Sequence, residues 1–192
     1  MKHIKKYAYV APKTFYERSL LLTMEQYNAL AESKDLEALH SKLQETPYKT
    51  YIAKLKPPIT VEELERALRR AHIEFIFKIV KLAPKGKPRE FIETFLERIV
   101  VEDVKKAVRM LIEGLDRESI RSKIDFESLE MLRADKQLKT LLEYENIRDA
   151  FSYLKNIYGK YFEKAEETYN ITRDQSVYDL YLDKYIIEKT LN

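Results

Sequence analysis

Apolar residues recur every three or four positions over most of this chain, which is the spacing of one face of an α-helix. The strongest example covers residues 61–82, where Thr60 and Glu63 precede the apolar positions with the spacing of a capping box. A second long helix is predicted from Pro88 to Gly114, because proline favours a first helical turn and glycine favours a helix end. No stretch alternates apolar and polar residues between turn signals, as a strand would. The pattern therefore predicts an all-α protein.

Shorter helices are predicted on both sides of the two long ones. Upstream, "TMEQYNALAES" and "DLEALHSKLQET" indicate two short helices, and "YIAKLKPP" indicates a turn or a short helix. Downstream, the predicted helical segments are "DFESLEMLRAD", "QLKTLLEY", "ENIRDAFSYLKNIYGKYFEKAEETY" and "SVYDLYLDKYIIEKTL". We expect one irregular multi-helix domain over residues 1–192, with short helices in 1–59, two long helices in 60–114 and further helices in 115–192.

The same spacing predicts which faces of the two long helices are buried. In the first helix the apolar positions are Val61, Leu64, Leu68, Ala71, Phe75, Ile79 and Leu82, joined by a second stripe of Ile73, Ile76, Phe77 and Val80. In the second helix they are Phe91, Ile92, Phe95, Leu96, Ile99, Val104, Ala107, Val108 and Leu111. The first helix is therefore expected to begin at the surface and to end buried on a wide arc.

Composition excludes several kinds of functional site. The chain has 192 residues, which is long enough to form a buried core. Its residues are 45% hydrophobic and 35% charged, a composition too apolar for a disordered protein. The absence of cysteine excludes disulfides, thiolate catalysis and Cys-ligated zinc or iron–sulfur sites. Three glycines in the whole chain argue against phosphate-cradling loops and nucleophile elbows. The net charge is only +3, and we interpret the basic and acidic residues as balanced along the chain. This balance argues against a dedicated nucleic-acid binder.

Neither long apolar run approaches the length of a membrane span. The runs are "SLLLT" and "FIFKIVKLA", whereas a spanning helix needs roughly 20 apolar residues. The basic start "MKHIKKY" is not followed by a signal-peptide core. We expect a soluble, intracellular protein without a transmembrane segment. Abundant Lys, Glu and Ile without Cys also suits a thermophilic source.

The histidines are the first candidates for chemistry. Glu37 and His40 have the Glu-x-x-His spacing of di-iron helical bundles, but such a site needs a second motif, and Arg69 stands three residues before His72. We expect His40 to lie on a helix surface and His72 to be half-buried on the flank of an apolar face. His3 lies in the basic N-terminal tail. No metal ligand is assigned.

Three other features have a structural interpretation. The basic linker "APKGKPRE" (83–90) leads into a helix N-terminus but lacks the spacing of a phosphate loop, so we interpret it as a solvated connection. Carboxylates are common, and no serine stands in a nucleophile context, so no catalytic residue and no cofactor-binding residue is assigned, and an enzyme stays open as an alternative at this point. Tyrosine is abundant, with 14 residues that suit either interface rims or the edges of a core.

The stretch from Tyr7 to Ile52 resembles the opening of the C subunit of archaeal and bacterial A/V-type ATP synthases, which is homologous to the d subunit of vacuolar ATPases. The elements that carry the resemblance are Tyr7 and Tyr9, the basic stretch Lys13 to Arg18, the helix start Leu21-Leu22-Thr23, and Leu43, Thr46 and Tyr48. The resemblance implies a short basic lead-in helix, with Tyr7 and Tyr9 as its anchors and Thr23 as the cap of the next helix.

Two later segments fit the same family. "VEDVKKAVRML" (101–111) retains Asp103 and has Lys106 where asparagine is usual. The other segment reads Leu182, Asp183, Lys184 and Tyr185 and is similar to a helix start of the family. Family members are usually nearly twice this long, with three similar helical lobes around a central cavity. A fragment, a truncated reading frame and a short paralogue are all compatible with this difference in length.

The resemblance implies a non-catalytic central-stalk subunit that passes torque between the rotary shaft and the membrane proteolipid ring during proton or sodium transport. Its partners would be the other rotary ATPase subunits, with no nucleotide, metal or nucleic acid bound, and it would lie at the inner face of the cell membrane. No contact residue is assigned. Two alternatives stay open: a helical nucleic-acid-binding or adaptor domain that uses "HIKKY", "RALRR" and "APKGKPR", and an enzyme with a deep pocket of perturbed carboxylates or histidines.

Overall fold

The computed structural model describes residues 10–191, and its backbone divides into two compact units whose boundary falls between Ile92 and Glu93. Within the described residues every regular element is a helix and none is a strand, which confirms the all-α prediction. The expectation of a single domain over residues 1–192 is not tested by this division and remains a prediction.

The first unit contains the predicted short helices and the first long one. They are α1 (Val10–Ser19), α2 (Met24–Ala31), α3 (Leu36–Leu43), α4 (Lys49–Ile52) and α5 (Val61–Leu82). α6 (Lys87–Ile112) begins in this unit and continues into the second. α1 is the basic lead-in helix implied by the family resemblance. Its expected anchors, Tyr7 and Tyr9, lie outside the described residues.

Polar caps determine where these helices begin. Thr60 accepts a hydrogen bond from the backbone N–H of Glu63 at 3.2 Å, and the Glu63 carboxylate accepts one from the N–H of Thr60 at 2.9 Å, as the sequence predicted. Thr23 forms the same reciprocal pair with Gln26 at the start of α2. Asp35 caps α3 through the N–H of Ala38 at 2.7 Å. Each cap satisfies N–H groups that have no partner within the helix.

The core of the first unit forms where α3, α4 and α5 meet. Its buried side chains are Leu43, Ile52, Leu64 and Ala67. Farther along α5, the second predicted stripe is buried at Ile73, Ile76 and Val80, as expected for a helix that ends more deeply than it begins. Val61, by contrast, is exposed, because it lies in the first turn, where α5 is still at the surface.

The prediction for the inner face of α6 is wrong at its start. Phe91 and Phe95 are 48% and 44% exposed, whereas the buried side chains begin with Thr94 and Leu96. The first two turns of α6 carry apolar residues at helical spacing, but the extensive core that covers the helix starts farther on. From there the buried positions continue as Val100, Val101, Asp103, Val104, Lys105, Ala107, Val108 and Leu111.

The second unit adds six helices to the continuation of α6. They are α7 (Arg117–Lys123), α8 (Phe126–Met131), α9 (Asp135–Leu141), α10 (Ile147–Tyr158), α11 (Lys160–Thr172) and α12 (Ser176–Leu191). α7 was not predicted, because its short sequence has a single buried apolar residue, Ile120. The segment predicted as one helix from residue 145 to 169 is two, since Gly159 adopts a positive φ of 53° and separates α10 from α11.

The cap of α7 gives a prediction for acid stability. Hydrogen bonds from the hydroxyl and the backbone N–H of Ser119, at 2.5 and 2.8 Å, lower the pKa of Asp116. A carboxyl whose pKa is lowered in the folded state stabilises the fold above its unfolded pKa of about 3.9 and loses that contribution as pH falls. Asp116→Asn keeps a capping side chain that does not titrate. In thermal unfolding, the difference between wild type and this variant should stay constant above about pH 5 and change below about pH 4; a difference independent of pH would contradict this account.

Aromatic rings fill the core of the second unit. Phe151, Phe162 and Tyr178 form a triangle with ring centroids 5.2 to 5.4 Å apart, one ring from each of α10, α11 and α12. Tyr158 packs edge-on against Tyr185 at 5.1 Å. Tyr158 and Tyr178 are buried, so at these two positions of the last third the tyrosines belong to the core.

Two buried tyrosines differ in one respect that a paired substitution can test. The hydroxyl of Tyr158 accepts a hydrogen bond from the side chain of Gln137 at 2.8 Å, whereas the hydroxyl of Tyr178 has no partner among the described residues. Tyr178→Phe should therefore leave the free energy of unfolding unchanged or raise it by about 1 kcal/mol, while Tyr158→Phe should lower it by about 1 kcal/mol. Urea unfolding of both variants measures the contrast, and equal losses would show that the Tyr178 hydroxyl is satisfied.

Candidate functional site

Lys105 is a lysine on the buried face of α6, with 4% of its surface exposed. Its ammonium donates a hydrogen bond to Glu102 at 3.0 Å and another to Asp183 of α12. Burial alone would lower the pKa of Lys105, but the bonds to the two carboxylates outweigh burial and raise it. The side chain is therefore held charged inside the second unit, where an unpaired ammonium would be strongly unfavourable.

Lys105 is one member of a series of polar pairs between α6 and α12, which we name the α6–α12 seam. The pairs are Thr94 with Thr190 (3.3 Å), Glu97 with Tyr185 (2.7 Å) and Lys189 (2.6 Å), Lys105 with Asp183, Arg109 with Asp179, and Glu113 with Gln175 (3.5 Å). Numbers rise along α6 as they fall along α12, so the two helices are antiparallel. The pairs of Lys105 and Arg109 step by four residues on each helix, which places them on successive turns of the same face. Glu113 and Gln175 continue the series just beyond the end of α6 and just before the start of α12.

The seam joins the two helices through side-chain pairs over much of their length. Lys105 is the interior member of the series, while Arg109, Glu113 and Lys189 lie nearer to solvent. Directional pairs of this kind resist sliding of one helix along the other, because a shift along the axis breaks several pairs at once. The seam is therefore suited to a mechanical role.

Two cavities lie in the first unit, both lined in part by Tyr48 and His72. The smaller one, of about 310 Å³, is bordered by Glu17 and Lys78, whose charged atoms are 3.7 Å apart. The larger one, of about 730 Å³, has among its lining residues five leucines of α2, α3 and α5: Leu30, Leu36, Leu39, Leu43 and Leu68. Burial is the main cause that raises the pKa of Tyr51, beside the smaller cavity, to about 12, together with its 2.9 Å hydrogen bond to Glu74.

Charge is distributed unevenly between the two units. Residues 1–92 contain 18 Lys and Arg against 11 Asp and Glu, whereas residues 93–192 contain 17 against 21. The sequence-based view of a charge balance spread along the chain is therefore wrong. A small net charge can hide opposite balances in two halves, and the first unit has a clear basic excess.

A family profile described as ATP synthase (C/AC39) subunit matches residues 16–192, which is nearly the whole chain and both units. The chain belongs to the ATP synthase (C/AC39) subunit family. This confirms the resemblance inferred from the sequence.

Curated relatives of the family agree with the match. The C subunit of the A-type ATP synthase of Desulfurococcus sp. (strain SY) is 36% identical over 106 residues, which cover 54% of this chain and 28% of the relative. The same protein of Pyrococcus furiosus is 32% identical over 109 residues (57% and 29%), and that of Methanocaldococcus jannaschii is 26% identical over 187 residues (95% and 45%). The chain spans about half the length of these relatives.

The seam brings together the two later segments that carry the family resemblance. Lys105, from "VEDVKKAVRML", pairs with Asp183, from the Leu-Asp-Lys-Tyr segment, and Tyr185 of that segment bonds to Glu97. Asp103 and Leu182 are buried, whereas Lys106 and Lys184 are exposed. Sequence reasoning missed the roles of Lys105 and Glu97. A lysine inside an apolar helical stripe was a signal, but its partner lies 78 residues away.

The histidine candidates have separate positions in this family member. His40 Nε2 lies 3.5 Å from the carbonyl oxygen of Ile52 and 3.4 Å from the Gln44 amide nitrogen, while Glu37 is exposed. His72 lines both cavities and is exposed rather than half-buried, and the partial desolvation of its imidazole lowers its pKa. His3 lies outside the described residues. Across the part of the chain that the structure describes, no group of three or more His, Asp or Glu residues is placed to hold a metal ion.

The basic linker has an internal structural role. The guanidinium of Arg89 donates from Nη2 and Nε to the carbonyl oxygen of Ala83, at 2.9 and 3.3 Å, just beyond the end of α5. Gly86 adopts a φ of 93° and lets the chain turn before α6 begins at Lys87. Among residues 10–191, no helix is both long enough and apolar enough to cross a membrane.

Proposed function

We propose that this chain is a non-catalytic subunit of an A/V-type rotary ATPase, coupling the central shaft to the membrane proteolipid ring during proton or sodium transport. The observation that carries the proposal is the continuous family match over residues 16–192, together with relatives that are C subunits of A-type ATP synthases. Its partners would be the other subunits of that complex, and its place would be the cytoplasmic face of the membrane.

The α6–α12 seam supports a mechanical role within this proposal. A subunit that transmits torque must resist shear between its helices, and a packed helical body with directional pairs along two long helices provides that resistance. The histidines and the linker that were candidates for chemistry have structural contacts instead. We therefore propose that the chain acts through the stiffness of its helical body and through contacts of its surface with other subunits. No reaction is assigned to it.

Co-purification tests whether the chain is part of the complex. A tagged chain is expressed in its source organism, the membranes are solubilised in a mild detergent, and the tagged material is separated by native electrophoresis. We expect the chain to migrate with shaft or proteolipid-ring subunits, and the tag expressed alone serves as the control. A chain that migrates without any rotary ATPase subunit would contradict the proposal.

The basic excess of the first unit keeps one alternative in view, a helical nucleic-acid-binding or adaptor domain. A binder that contacts phosphates loses affinity steeply as salt rises from about 50 to 200 mM. Mobility-shift titrations with duplex DNA and single-stranded RNA across that range distinguish the two functions. The rotary ATPase proposal predicts no salt-sensitive complex, and a strong one that weakens with salt would favour the alternative.

A further inference from the structure

The smaller cavity of the first unit has a largely apolar lining. Its volume is about 310 Å³, at the lower end of the range for small-molecule sites in proteins. The apolar and aromatic residues that line it are Leu20, Leu21, Pro47, Tyr48, Ala71 and Phe75. They come from the turn after α1, the turn before α4 and the middle of α5, so three separate segments of the chain converge on one space. A concave apolar space with a few polar groups is the usual form of a ligand site.

Glu17 provides a buried carboxylate at this cavity. Its side chain is 13% exposed, and no hydrogen-bond donor among the described residues reaches its buried Oε2 atom. Lys78 Nζ lies 3.7 Å from Oε2, which is close enough for an ion pair but too long for a hydrogen bond. The side chain of Lys78 is 46% exposed, so exchanging this contact for water costs it little. A buried carboxylate oxygen without a hydrogen bond favours a donor that carries positive charge.

Neighbouring polar groups of the two cavities differ from Glu17 in this respect. The hydroxyl of Tyr51, which also lines the smaller cavity, donates its proton to Glu74 at 2.9 Å. In the larger cavity the carboxylate of Asp35 accepts a hydrogen bond from the backbone N–H of Ala38 at 2.7 Å as the cap of α3. Glu17 therefore combines burial, negative charge and a free acceptor oxygen at the wall of an apolar space.

We propose that the smaller cavity binds a small organic ammonium, with its charged group on the Glu17 carboxylate and its apolar body against Tyr48 and Phe75. The ammonium supplies the charge-assisted hydrogen bond that Lys78 is too distant to make, and the body leaves water for an apolar wall. A neutral hydroxyl forms a weaker bond to the same oxygen, and an anion is repelled by it. This inference goes beyond the proposed coupling role, because it assigns the chain a small-molecule site.

Three probes with the same phenyl body test which charge the cavity selects: 2-phenylethylammonium, 2-phenylethanol and 3-phenylpropanoate. Each is titrated into the purified, isotope-labelled chain near neutral pH, and binding is followed by the backbone amide chemical shifts of Thr50, Ala71 and His72, which line the cavity. We expect 2-phenylethylammonium to bind at least about ten times more tightly than the other two probes. Equal affinities, tighter binding of 3-phenylpropanoate, or no shift of these amides at about 10 mM 2-phenylethylammonium would overturn the inference.

Two substitutions at the charged pair should act in opposite directions. Glu17→Gln keeps the shape of the side chain and removes its charge, so it should weaken binding of 2-phenylethylammonium about tenfold or more and change that of 2-phenylethanol by less than about twofold. Lys78→Met should strengthen binding of 2-phenylethylammonium, because the probe no longer displaces a competing ammonium from Glu17. Weaker binding of this probe to Lys78→Met would contradict the assignment.

The matched control removes a carboxylate outside the cavity. Glu25 of α2 is exposed and does not line the smaller cavity, so Glu25→Gln should leave the affinity for 2-phenylethylammonium unchanged. Equal losses in Glu17→Gln and Glu25→Gln would show attraction to acidic groups in general and would overturn the inference. Circular dichroism checks that each variant is folded, and the three probes test the wild-type chain without any substitution. None of these outcomes depends on the coupling role, because no other subunit is present.

Discussion

Phe162→Ala should lower the free energy of unfolding by about 3–5 kcal/mol, which is the range for removing a fully buried aromatic ring. Phe162 has no exposed surface and stands between Phe151 and Tyr178, with centroids at 5.3 and 5.2 Å. Its loss leaves a cavity where α10, α11 and α12 meet, and the two remaining rings cannot fill it without leaving their own contacts.

Phe15→Ala is the matched control for this prediction. It removes the same atoms from a side chain that is 67% exposed, so its effect on folding should stay within about 0.5 kcal/mol. Urea unfolding followed by circular dichroism measures both variants. Similar small losses for the two would show that the ring triangle does not hold the second unit together.

Asp183→Asn should lower the free energy of unfolding by about 2–3 kcal/mol. Breaking a fully buried ion pair would lower it more, but Asp183 itself is partly exposed. The amide cannot balance the ammonium of Lys105, which then retains Glu102 as its carboxylate partner inside the unit. The loss of charge on Asp183 therefore destabilises the fold mainly through the buried Lys105.

A double-mutant cycle separates this electrostatic effect from changes in packing. Lys105→Met keeps an unbranched apolar side chain, shorter by one atom, while removing the charge. The double variant Lys105→Met with Asp183→Asn should be more stable than Asp183→Asn alone, because it removes the buried ammonium that has lost one of its two carboxylate partners. Urea is the appropriate denaturant, since guanidinium salts screen charges. Strictly additive effects would contradict the direct coupling of the two side chains.

Local features of the fold could be predicted from the sequence because their causes are local. The capping box of Thr60 and Glu63 involves two residues three positions apart, and the long helix that follows has an apolar stripe of regular period. The break between α10 and α11 was missed because the sequence on both sides of Gly159 has helical spacing. A single residue with a positive φ separates the two helices.

The seam could not be predicted because its pairs are distant in sequence. Lys105 and Asp183 stand on helices with ordinary charged patterns, and only the tertiary fold places α6 against α12. The prediction that Phe91 and Phe95 are buried was wrong for a related reason. Periodicity shows that residues share a face of a helix, but not that other elements cover that face. Long-range placement of this kind is not visible in the sequence, whereas the family resemblance rests on short motifs in order along the chain.

Ion pumping by a complex from which this chain has been removed tests the central claim most directly. The rotary ATPase is purified from its source, stripped of the chain, reconstituted into vesicles, and assayed in parallel for ATP hydrolysis and ATP-driven ion uptake. Coupling through this chain predicts that hydrolysis continues while ion uptake is lost, and that adding back the purified chain restores uptake. Ion uptake that is the same with and without the chain would contradict the claim that it couples the shaft to the ring.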